Sequence, residues 1–189
     1  MSVILLRHTR LAAVAGLCYG RTDVALAASF EAELAVIRAG LAGLRFGAIW
    51  SSPASRCRRL AEAFANPGPI RIETRLQELD FGLWENREWA DFRGPESEAW
   101  ALDPWRLAPP GGESGAALWA RVGAFRDELT AANNAGGGAI LVVTHAGVIR
   151  AWLGLERGLG WAEAMSLPVP HGSLTVIGPC EPKTTVDKF

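Results

Sequence analysis

The sequence is short of several things that would each point to a familiar chemistry. It holds only three cysteines. Cys18, Cys57 and Cys180 lie far apart and form no C-x-x-C pair, which argues against a disulfide framework and against a thiolate zinc site. Charge of one sign is missing too. The net charge is −1, so no general field draws nucleic acid or an acidic membrane, and any anion specificity has to come from a local cluster. No stretch approaches the ~18 apolar residues of a membrane span, and the N-terminus lacks a signal-peptide segment. The three histidines stand apart from one another without clustered carboxylates, so neither a metal nor another cofactor is expected. There are no internal repeats and no linker. These absences leave a cytoplasmic enzyme or binding protein, built as one domain over residues 1–189.

What is present is a soluble globular composition, 49% apolar and 21% charged, long enough to bury a substantial core. The apolar run Val3-Ile4-Leu5-Leu6 reads as a buried strand, and it delivers Arg7-His8-Thr9 at its carboxyl end, where open α/β sheets bind ligands. A guanidinium recognises phosphate with a planar fork, and a neutral imidazole can attack phosphorus. A loop follows, through Cys18-Tyr19-Gly20-Arg21-Thr22-Asp23. Ser29 suits the N-cap of a helix carrying Leu34, Ile37, Leu41 and Leu44. Ala48-Ile49-Trp50 is a second strand. Ser52 and Pro53 are then expected to open a second helix as N-cap and first residue, with Ala54, Cys57, Leu60, Ala61 and Phe64 inward and Asn66-Pro67-Gly68 as its stop. Arg56 falls in that first turn, off the apolar stripe, beside backbone N–H groups that favour an anion.

Ile70-Arg71-Ile72 is a third strand. Glu78, Asp80 and Glu85 come next among apolar neighbours. A carboxyl in such surroundings tends to hold its proton, as an acid catalyst must, but residue types alone do not choose among the three. From about 84 to 112 tryptophan and proline accumulate, including Trp84, Trp89, Trp100 and Trp105. This insertion reads either as short helices covering the sheet edge or as a cap whose aromatic walls select an organic leaving group. Gly111-Gly112-Glu113-Ser114 leads into a helix with Leu118, Val122, Phe125, Leu129 and Ala132 inward, closed by Gly136-Gly137-Gly138. Ala139-Ile140-Leu141-Val142-Val143 is unalternating and therefore a central strand. It ends in Thr144-His145-Ala146-Gly147, with a helix from about Val148. Leu174-Thr175-Val176-Ile177 is the last strand, and an exposed tail follows after about 178. Two of the three histidines thus occupy equivalent strand ends.

Leu6-Arg7-His8-Thr9, Ser51-Ser52-Pro53-Ala54-Ser55-Arg56, Gln77-Glu78-Leu79-Asp80-Phe81-Gly82-Leu83-Trp84-Glu85, Gly111-Gly112-Glu113-Ser114 and Val143-Thr144-His145-Ala146-Gly147 together resemble, in order, the motif series of the histidine phosphatase superfamily. The resemblance implies the phosphoglycerate mutase-like fold, a three-layer α/β sandwich with a mostly parallel central sheet flanked by helices. It implies His8 as the nucleophile that becomes phosphorylated, Arg7, Arg56 and His145 as the phosphate pocket, and Glu78 as the proton donor. Thr9, Tyr19, Gly20, Arg21, Trp84 and Ala146 are the expected substrate-binding residues. Such chemistry needs chiefly positioning and positive charge on the equatorial oxygens. The Cys18–Asp23 loop looks most like the alpha-ribazole phosphatases of cobalamin synthesis, which implies a small-molecule phosphomonoester as the partner.

The sequence departs from the family at four places: Thr9 and Asn86 stand where glycine is common, and Val14 and His171 where asparagine is common. Tyr19, Gly20 or a loop N–H is expected to replace the phosphate contact missing at Val14. A phosphoglycerate mutase, a phosphatase of sugar or other small phosphates, and a silent phosphate-binding domain are the alternatives. The mutase is disfavoured because the insertion is aromatic rather than basic. The silent domain is disfavoured because all five core residues are retained. A homodimer stays open, since Trp152, Trp161 and the apolar cap are compatible with core or interface.

Overall fold

The computed structural model describes residues 2–12, 15–65, 69–132 and 138–178. Val14, the Asn66-Pro67-Gly68 stop, Gly136, Gly137, Cys180 and the tail lie outside them. Five strands form one sheet: β1 (Val3–Arg7), β2 (Phe46–Ser51), β3 (Ile70–Ile72), β4 (Ala139–Thr144) and β5 (Leu174–Ile177). Their spatial order is β3-β2-β4-β1-β5. The first four are parallel, and only β5 runs antiparallel, against β1. β4 lies at the centre, as its unalternating sequence predicts, and every one of its residues is buried.

The two faces are covered by different helices, which makes the three-layer sandwich. Ile4, Leu6, Leu141 and Val143 face α1 (Phe30–Gly40) and α2 (Ser55–Glu62) through Leu34, Ile37, Cys57 and Leu60. Val3, Leu5, Ile140 and Val142 face α4 (Gly115–Ala132) and α5 (Ala146–Arg157) through Leu118, Val122, Phe125 and Trp152. α3 (Pro95–Leu102) belongs to the tryptophan-rich insertion, and α6 (Trp161–Met165) follows α5.

Chain order explains where a site can form. From β1 the chain passes over the place β4 will fill, builds β2 and β3, then returns to insert β4 beside β1. The helix after β1 and the helix after β4 therefore leave on opposite faces, which opens a crevice at the carboxyl ends of these two strands.

Ser29 stands at the N-cap of α1 as expected, its C=O accepting from Glu33 N–H at 3.0 Å, but its hydroxyl donates to Glu33 Oε1 at 2.6 Å rather than capping a backbone N–H. The expected start of the second helix needs correction. α2 begins at Ser55 rather than Pro53. The reason is that Ser52 N–H bonds to Val143 C=O at 3.0 Å, continuing the β2–β4 ladder one residue past the strand, so the chain is still extended there.

Candidate active site

β1 and β4 are in register with Arg7 opposite Thr144, and His8 N–H donates to Thr144 C=O at 3.0 Å. That pairing sets His8 and His145 side by side, their ring centroids 5.2 Å apart and edge to face. Both rings are almost fully buried. Burial is the main force holding His8 well below the usual histidine range; Arg56, Arg7 and His171 add to it, while the Thr9 carbonyl opposes it. The ring is therefore neutral near pH 7. Its Nδ1 donates to Thr9 C=O at 2.8 Å, so the lone pair resides on Nε2.

Arg56 is completely buried in the first turn of α2. Its Nη1 donates to Thr22 C=O and its Nη2 to Gly20 C=O, each at 2.7 Å. Nη2 also lies 3.4 Å from His145 Nδ1. A guanidinium only donates, so His145 accepts there and turns its Nε2–H to Ser52 Oγ at 2.8 Å. Burial first, then the neighbouring His8 and arginines, keep His145 neutral as well. The loop that Arg56 grips is pinned at Asp23, whose Oδ1 accepts from Ser55 N–H at 3.0 Å. Gly20 is needed because a Cβ there would lie 1.9 Å from Leu79 O.

Glu78 reaches the same place from another direction. Its Oε2 accepts from Gly147 N–H at 3.2 Å, at the start of α5, and its Oε1 from Leu79 N–H at 3.1 Å. A Cβ on Gly147 would stand 2.3 Å from Oε1, so only glycine admits the carboxyl. The Glu78 segment is held from behind by Arg121 of α4. Its Nη1 donates to Arg75 C=O and Gln77 C=O at 2.7 Å each and its Nη2 to Glu78 C=O at 3.1 Å, while Glu113 pairs with the same guanidinium. The other two carboxylates are committed elsewhere. Asp80 pairs with Arg21 at 2.9 Å. Burial pushes the Glu85 carboxyl up, but hydrogen bonds from the Thr22 hydroxyl and the N–H groups of Arg21, Thr22 and Phe81 outweigh it and hold Glu85 below the usual range.

These groups meet at a cavity of about 400 Å³. Arg7, His8, Tyr19, Arg56, Glu78, His145 and Arg150 line it with Ala146, Gly147, Leu79, Phe81, Trp100, Pro104, Leu118, Trp161 and Met165. Nε of Arg7 and Nε of Arg56 are buried without a hydrogen-bond partner. Arg56 lies over the Tyr19 ring at 6.0 Å. Thr9 is buried and enters only through its carbonyl bond to His8.

Of the six expected substrate contacts, Tyr19 and Ala146 line this cavity, while Thr9, Gly20, Arg21 and Trp84 do not. Trp84 is 4% exposed and packs inside the cap, stacked on Phe92 at 4.9 Å. Arg21 pairs with Asp80 and Glu113 and, with Gly20, lines a smaller pocket beside Arg56, Glu78 and His145. The aromatic walls are Phe81, Trp100 and Trp161 instead. Trp152, left open as core or interface, is 1% exposed and belongs to the core. Ser52, Arg121 and Arg150 were not singled out by sequence reasoning for this site. Among the described residues no group of three or more His, Cys, Asp or Glu is placed to hold a metal ion, and no helix is long and apolar enough to cross a membrane.

A family description of the histidine phosphatase superfamily (branch 1) matches residues 3–189. The chain belongs to that superfamily. Among its relatives is the adenosylcobalamin/alpha-ribazole phosphatase of Salmonella typhimurium, 27% identical over 96% of this chain and 92% of that one. The crystal structure of the alpha-ribazole phosphatase from Shigella flexneri superposes with a TM-score of 0.86 at 26% identity, covering 94% and 90% of the two chains. A mycobacterial glucosyl-3-phosphoglycerate phosphatase superposes at 0.80, also at 26% identity, covering 93% and 88%. The sheet and its flanking helices are thus those of this histidine phosphatase fold. Asn86, standing where glycine is common in the superfamily, has φ +65. Asparagine tolerates that left-handed conformation better than other side chains with a Cβ.

Proposed function

We propose that the protein is a metal-independent phosphomonoesterase that works through a phosphohistidine on His8. The observation that carries this reading is the tautomer of His8. Its Nδ1–H is spent on Thr9 C=O, which leaves a neutral Nε2 lone pair in a cavity lined by three arginines, Arg7, Arg56 and Arg150. A phosphoryl group bound there would lie beside the guanidinium groups of Arg7 and Arg56, whose Nε–H donors have no protein partner.

In the first displacement Nε2 of His8 bonds to phosphorus, the ester P–O bond breaks, and Glu78 gives its proton to the departing oxygen. In the second, water attacks the phosphohistidine and gives a proton to the Glu78 carboxylate, the P–N bond breaks, and inorganic phosphate leaves. Each Glu78 oxygen accepts one backbone bond, so a second lone pair on each remains for the travelling proton. Arg56 stabilises charge on the equatorial oxygens, and His145, held between Arg56 and Ser52, walls the site beside His8.

The apolar and aromatic walls fit an organic leaving group, and the similarity to alpha-ribazole phosphatases makes alpha-ribazole 5′-phosphate the first substrate to expect. Arg150, on the same wall, favours a second reading: a monoester whose organic part carries a carboxylate, such as the glycerate named for the mycobacterial neighbour. A phosphate-release screen in excess EDTA, across alpha-ribazole, nucleotide, sugar and glycerate phosphates, separates these. The expected result is the highest kcat/KM on alpha-ribazole phosphate, undiminished by the chelator. A preference for glycerate phosphates supports the second reading. No release from any ester, or activity restored only by added metal, contradicts the proposal.

A further inference from the structure

The chemistry above uses two of the three histidines. The third, His171, is half-buried in the turn between α6 and β5, its ring centroid 5.3 Å from that of His8. Its Nε2 is 3.0 Å from Nη2 of Arg7. A guanidinium has no lone pair to offer, so Nε2 accepts and the ring carries its proton on Nδ1.

This contact is one of three that a single short stretch makes to Arg7. Val169 C=O accepts from Nη1, and Ser173 C=O accepts from the Arg7 backbone N–H at 3.1 Å. The turn is itself tied to the strand end, because Gly172 N–H donates to His8 C=O at 3.1 Å. Two acceptors, one on each terminal nitrogen, define the plane of a guanidinium. Nε of Arg7 is left buried with no protein partner.

We propose that His171 is a positioning residue for Arg7, its Nε2 fixing the guanidinium plane so that the remaining donors are aimed at the phosphoryl group. The inference rests on the phosphate reading given above. His171 keeps the neutral, accepting form because burial, then Arg7, then Arg10 lower its pKa to about 4, against the opposing pull of Glu33. A protonated ring would present N–H to N–H, and the bond would be lost.

The test needs no substrate. Inorganic phosphate is titrated calorimetrically into the full chain at about pH 7, and melting temperatures are measured without phosphate. The His171→Gln side chain reaches about as far and keeps an acceptor, so its Kd is expected within about three-fold of the parent. His171→Leu keeps bulk but has no acceptor, and its Kd is expected to rise roughly ten-fold, the loss of about one hydrogen bond to a charged group. His171→Ala, a smaller change at a half-buried turn, carries the same expectation should the leucine variant fold poorly. Gln binding as weakly as the acceptorless variants, or all of them binding like the parent, overturns the inference. Failure of the parent to bind phosphate overturns the phosphate reading, and the positioning role with it.

Discussion

Glu78, Asp80 and Glu85 sit close together in sequence among similar neighbours, yet their surroundings assign them different work. Asp80 is an ion-pair partner of Arg21. Glu85 anchors the loop over Arg56 by accepting the N–H groups of Arg21 and Thr22. Only Glu78 lines the cavity. A general acid matters most when the departing oxygen is a poor leaving group. Glu78→Gln is therefore expected to slow enzyme phosphorylation by an alkyl phosphate by about 10²–10⁴-fold, with a far smaller loss on p-nitrophenyl phosphate. Single-turnover kinetics read this step alone; equal losses on both esters would make Glu78 a positioning group. The three carboxylates were visible in the sequence, and residue type could not rank them, because what separates them is the partner each meets. Arg121 and His171 were hidden for the same reason. Arg121 holds carbonyls more than 40 residues away, and His171 holds Arg7 across 164 positions.

At the scale of elements, the strands were legible because a short, unalternating aliphatic run is what a strand covered on both faces requires. The start of α2 was not, because the bond from Ser52 N–H to Val143 C=O joins segments distant in sequence. Ser52 then serves His145 rather than forming the first turn. Two aromatic clusters, one within the cap and one joining the cap's Trp105 to α4 and α6, each send one tryptophan to the cavity. Trp100 packs against Trp84, Trp89 and Phe81, while Trp161 packs against Trp105 and Trp119. Which tryptophan lines the cavity depends on this packing: the cap supplies Trp100, α6 supplies Trp161, and Trp84 stays inside the cap. Trp100→Ala and Trp161→Ala are expected to raise KM on the order of ten-fold for an ester with an aromatic organic part, and much less for a compact alkyl phosphate. Trp84→Ala is expected to cost about 3–5 kcal/mol of stability by denaturant unfolding, with KM little changed where the protein remains folded. A KM effect shared equally by both esters would reduce the cap to packing.

On the scale of the whole molecule, the site exists because β4, formed late in the chain, is inserted beside β1, formed first. Arg7 and His8 come from one strand end, His145 from the other, Arg56 from the helix after β2, and Glu78 from a segment that Arg121 straps to α4. The order of the motifs was legible; their convergence follows from the chain reversal that opens a crevice between two parallel strands. All of this is arranged around one lone pair, on Nε2 of His8, that burial keeps unprotonated. The most direct measurement is rapid mixing with a phosphomonoester, alkaline quench and peptide mass spectrometry, at about pH 7 and again at about pH 5.5, where an imidazole in water is mostly protonated. The account predicts about 80 Da added to the peptide containing His8 at both pH values, and none in His8→Ala. Label on His145 alone, label persisting in His8→Ala, or label lost at the lower pH would contradict it.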